Sequence, residues 1–76
     1  MISVIGSEPI DNYQFTGLPE GIKYDFSRCE SVPVLGSLDF ITVGKGTLIY
    51  VPLKLYDEWI EATNWSEIAE YIVVAR

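Results

Sequence analysis

The chain contains no histidine. That removes every nucleophile–base pair built on an imidazole, whether with serine or with cysteine. It also removes zinc sites made of cysteine and histidine, because the only thiol is Cys29. A lone cysteine closes no internal disulfide, so nothing points to a secreted disulfide scaffold. Bases are scarce, 5 against 11 acids, which leaves a formal charge of −6. Such a surface repels nucleic acids and anionic membranes and attracts basic proteins. Long apolar runs are missing too, and none approaches the roughly 20 residues needed to span a bilayer. Met1-Ile2-Ser3-Val4-Ile5 leads straight into Gly6 and acids, unlike a secretory leader. These absences predict a cytoplasmic protein, in the host cytoplasm if viral, with no membrane partner and no direct nucleic-acid partner.

What remains is enough for one domain. The 76 residues leave no room for two cores, and 49% of them are apolar, too many for a disordered chain. Residues 1–76 therefore read as a single domain. Met1–Ile5 is a candidate first strand, and Tyr13–Thr16 a brief one inside a turn-rich stretch. Ile22–Phe26 alternates, with Ile22, Tyr24 and Phe26 on one side, the period of a half-buried strand. Leu38–Val43 and Thr47–Val51 are rich in β-branched and aromatic residues and flank Gly44-Lys45-Gly46. Two such runs about a three-residue glycine loop predict a hairpin.

Pro52 suits the entry to a helix. From about Leu53 to Thr63 the apolar residues fall at helical spacing: Leu53, Tyr56, Trp59, Ile60 and Thr63 share a face. Asn64 and Glu67 have the form of a capping box for a second short helix from Trp65 to about Ala69. Tyr71–Ala75 reads as a last strand, because β-branched runs disfavour a helix. A helix continuing to the C-terminus is the competing reading. The expected fold is α+β, a small, mostly antiparallel sheet of about four strands with one main amphipathic helix packed on one face.

Motifs for chemistry are weak. Gly44-Lys45-Gly46-Thr47 lacks the earlier glycine and the Ser or Thr directly after lysine that a phosphate loop needs. With Thr42, Val43 and Val51-Pro52, the same stretch loosely resembles the looped-hinge hairpin of AbrB-type DNA-binding antitoxins. The resemblance covers about a dozen residues and implies DNA binding through basic side chains, which this chain lacks. The fit also needs one more residue before the proline. Arg28 beside Cys29 could lower the thiol pKa, but an inert, packed thiol is the simpler expectation. No calcium-loop pattern occurs, and no metal, cofactor or catalytic residue is assigned.

Two features carry the functional expectation. Between residues 57 and 70 stand five acids, Asp57, Glu58, Glu61, Glu67 and Glu70, and no base. Like charges at helical spacing cost a few tenths of a kcal/mol each, so stability alone does not favour the arrangement. The chain also holds ten aromatics (two Trp, five Tyr, three Phe), more than a small core is expected to need. Trp59 and Trp65 stand among these acids and are the expected interface anchors. The leading expectation is a non-catalytic inhibitor that presents this acidic face to a basic site on a partner protein, a nucleic-acid-handling enzyme being one candidate. Phage-encoded anti-defence proteins and toxin immunity proteins are analogies of size and charge only. The alternative is a structural or accessory subunit, or a small homo-oligomer, assembling through aromatics and a strand edge. A small-ligand module with a carboxylate base is the third reading.

Overall fold

The computed structural model describes residues 1–75. It is α+β, built on a four-stranded sheet: β1 (Ile2–Ser3), β2 (Lys23–Asp25), β3 (Leu48–Val51) and β4 (Ile72–Val74). The strands stand side by side in chain order, and every neighbouring pair is parallel. This overturns the expected antiparallel sheet. The register places Ile2 beside Tyr24, Tyr24 beside Ile49, and Ile49 beside Ile72.

The expected hairpin is absent for an identifiable reason. Ser37 caps a 3-10 turn at Leu38–Phe40, its Oγ accepting from the Asp39 N–H at 3.1 Å. That turn takes the first half of the run out of extended structure. Ile41 then meets Phe15 in an isolated parallel bridge, which is all that forms of the brief strand expected at Tyr13–Thr16. Gly44–Thr47 closes as a tight turn, with Thr47 N–H donating to the Gly44 carbonyl at 3.0 Å and Gly46 at φ 87°. A positive φ there is open to glycine. The glycines thus launch β3 instead of joining two strands.

The main helix is also shorter than expected. A 3-10 turn at Leu53–Leu55 feeds α1 (Tyr56–Glu61), nine residues in all. Ala62 is extended at φ −69°, ψ 149°, and Asn64 has a positive φ of 69° with ψ −43°, so the helical period running on through Thr63 is not followed. Asn64 does not cap the next segment. Its Nδ2 instead donates to the Leu35 carbonyl at 2.6 Å, tying two distant loops together. Trp65–Tyr71 forms two 3-10 turns across a kink at Ile68. The last strand lies where the β-branched run placed it.

One contiguous core sits on one face of the sheet. Tyr24, Ile49, Val51 and Ile72 supply it from the strands. The β1–β2 connection adds Ile10 and Phe15, the β2–β3 connection Phe26, Cys29, Leu35 and Ile41, and the β3–β4 connection Leu55, Trp59, Trp65 and Ile68. All three connections therefore cover the same face. That follows from topology: parallel strands in sequential order with crossovers of one hand place every crossover on one side. Within the core, Trp59, Trp65 and Phe26 meet edge-to-face, with ring centroids 5.3–5.6 Å apart. The Tyr24 hydroxyl donates to the Thr42 carbonyl at 2.6 Å, so its polar tip is satisfied.

Candidate functional site

α1 turns its Trp59 side inward and its carboxylates outward. Trp59 is fully buried, while Asp57, Glu58 and Glu61 are exposed. Asp57 and Glu58 lie in the first turn, where the helix dipole favours negative charge. Glu61 closes the helix, where the dipole disfavours it. Glu67 and Glu70 are likewise exposed on the 3-10 segment that packs against α1. The five carboxylates thus occupy the outer surface of two adjoining elements. No base stands in the chain between them.

Trp59 and Trp65 are not on that surface. Both have zero exposure, which corrects their assignment as interface anchors. The physical reason is the aromatic cluster with Phe26, which a thin core uses to fill its volume. Trp65 Nε1 donates to the Pro33 carbonyl at 2.7 Å, whereas Trp59 Nε1 has no hydrogen-bond partner among the described residues.

The structure supplies a neighbour to the acids that the sequence did not suggest. A groove of about 250 Å³ runs between α1 and the loop at residues 32–34. Val32, Val34, Glu58, Ala62 and Thr63 border it, with the buried Pro33 and Trp65 beneath. Val34 is 64% exposed. A largely apolar groove with an exposed glutamate among its lining residues suits a lysine or arginine side chain, whose aliphatic stem and charged head match the two. The one available signal was Val32-Pro33-Val34, three apolar residues inside an irregular stretch.

Cys29 is buried and its Sγ lies 3.4 Å from the Gly6 carbonyl. Burial pushes the thiol pKa up, and nearby Asp25 adds to the rise against the opposing Ser7 hydrogen bond. Arg28 does not activate it. Iodoacetamide should therefore leave Cys29 largely unmodified in the native protein and label it rapidly in urea, as mass spectrometry would read.

Asp25 behaves in the opposite sense. The Ser27 hydroxyl and N–H both donate to its Oδ1, and these bonds, with a smaller effect of Arg28, hold the carboxyl below its ordinary 3.8. A depressed folded-state pKa gives stability that is present above the unfolded value and lost as pH falls through the folded one. Asp25→Asn should be less stable than wild type at neutral pH, and the gap should close as pH drops below 3.8. Urea titrations at several pH values would read it.

No helix of the described residues is long and apolar enough to cross a membrane. Comparison with family models, curated proteins and solved structures finds no match for the chain.

Proposed function

We propose that this chain is a non-catalytic protein-binding module, an inhibitor in the simplest case, that presents its acidic face to a basic site on a partner protein. The observation carrying this reading is that Asp57, Glu58, Glu61, Glu67 and Glu70 are all exposed on two adjoining elements with no base between them. A surface of one sign steers a basic partner and speeds its association. The apolar groove beside Glu58 adds a place for one basic side chain to be held as well as attracted. A basic cleft shaped for nucleic acid is the natural counterpart, because a row of carboxylates stands in for a row of phosphates.

The test is affinity capture with two baits, wild type and the variant carrying Asp57→Lys, Glu58→Lys and Glu61→Lys. Capture of a basic protein by the wild type alone supports the reading. Equal capture by both baits refutes it.

A further inference from the structure

The sheet has a second face that the core does not use. Side chains alternate along a strand, and partners in register share a face. Tyr24, Ile49 and Ile72 point into the core, so Lys23 and Asp25 on β2, Leu48 and Tyr50 on β3, and Val73 on β4 point the other way. Leu48, Tyr50 and Val73 are half-buried by their neighbours in the sheet, and none of them packs against the core. Met1, 72% exposed, joins them, and with Asp25, Ser27, Tyr50 and Ala75 it lines a shallow depression of about 230 Å³ on this face. Purely parallel sheets are ordinarily covered on both faces. Here all three connections lie on one side.

The geometry points to a second copy of this chain as the cover, seated face to face about a two-fold axis. Charge is the reason to choose a copy over a foreign partner. The molecule carries −6, yet these strands present one base and one acid, Lys23 and Asp25, to this face. The other ten acids lie off the strands. The face is the surface on which two strongly acidic copies can meet without facing like charge.

The pair is also self-complementary. Lys23 and Asp25 stand two residues apart on the same strand, on either side of Tyr24. A two-fold axis crossing the strands at the level of Tyr24 and Ile49 reverses strand direction and leaves β2 over β2. It sets Lys23 of each copy against Asp25 of the other, and Leu48 against Tyr50. Such an isologous contact closes on itself. The two sheets would pack about 10 Å apart, as sheets do. The acidic α1 surface of each copy stays outward, so the inference does not depend on what that surface binds.

Its strength follows from its size. Four strands of two to four residues, about 4.8 Å apart, give a plane of roughly 200 Å². That is well below the roughly 800 Å² per partner of a standard interface, so the dimer is weak and concentration-dependent.

Sedimentation velocity from about 10 μM to about 1 mM tests it, the range in which weak complexes form. The mass should rise from 8.6 kDa toward twice that value. Lys23→Glu, which sets acid against acid, and the double change Tyr50→Glu with Val73→Glu should each hold the mass at 8.6 kDa. Both variants should stay folded but melt somewhat lower, Lys23→Glu because it loses the Nζ contacts to the Gly21 and Gly46 carbonyls, and the double variant because its two glutamates stand opposite each other on β3 and β4. A wild type that stays monomeric at the top of the range overturns the proposal. So does association of both folded variants at wild-type strength, which would put the contact at the β4 edge, or growth beyond a dimer, which a closed two-fold forbids.

Discussion

Truncating Trp59 to alanine is expected to cost about 3–5 kcal/mol, against about 4–11 kcal/mol for the whole domain. The ring is fully buried and touches Phe26 and Trp65 edge-to-face, at 5.5 and 5.3 Å between centroids. A core built on one sheet face has no second layer to collapse into the hole. A sharper contrast comes from phenylalanine at the two tryptophan positions. Trp65→Phe removes the bond to the Pro33 carbonyl and leaves that oxygen without its donor. Trp59→Phe removes an N–H that has no partner among the described residues. Both lose similar ring volume, so Trp65→Phe should be the more destabilising by about 1–3 kcal/mol, the cost of a buried group left unmade. Urea unfolding followed by circular dichroism reads both. Equal losses would mean that the Pro33 contact contributes nothing beyond packing.

The sequence marked where strands lie better than how they run. Alternation in Ile22–Phe26 was readable because Tyr24 and Phe26 face the core while Lys23 and Asp25 do not. Alternation fixes a face but says nothing of direction. Gly44-Lys45-Gly46 suited a hairpin tip and a strand-entry turn equally well. What decided between them was the Ser37 cap, which spends Leu38–Phe40 on a 3-10 turn. The helix was misjudged at both ends for similar reasons. Leu53, placed on the buried face by its spacing, is 73% exposed in the 3-10 entry turn. Beyond Glu61 the chain must turn back to deliver Trp65 to Phe26. Asn64 makes that turn at φ 69°, ψ −43°, close to the strained classic γ-turn.

The acids and the aromatics were legible to different degrees. Outward placement of Asp57, Glu58 and Glu61 follows from helical periodicity, which holds across the six residues of α1. The assumption that ten aromatics exceed a small core's need failed for Trp59 and Trp65. Edge-to-face contacts, with one tilted pair at Tyr24 and Phe26, link Phe15, Tyr24, Phe26 and both tryptophans and let five large rings share one core. Tyr13 is instead the exposed ring, resting edge-on against Phe40. The groove at residues 32–34 joins loops distant in sequence, so no local pattern announces it. The sheet face turned away from the core needed the strand order, which alternation alone does not contain.

Reversing the α1 acids should weaken partner binding at least about 100-fold, or about 2.7 kcal/mol, while leaving the fold intact. Each of Asp57→Lys, Glu58→Lys and Glu61→Lys adds two charges, so the triple variant moves the formal charge from −6 to zero. The three side chains are exposed, and loss of the favourable dipole contact of Asp57 and Glu58 costs only about 0.3–1 kcal/mol each. Net charge is a confounder, and a second variant removes it. Glu8→Lys, Asp11→Lys and Glu20→Lys make the same change in charge at exposed positions on the β1–β2 connection. If the α1 face is the contact, the second triple should slow association through weaker steering and leave dissociation nearly unchanged. The α1 triple should raise the dissociation rate as well, because like charges then face each other across the contact. Surface plasmon resonance at low and high salt separates the two. Equal effects from both triples would reduce the acidic face to diffuse attraction. A partner indifferent to either would remove electrostatics from its recognition altogether.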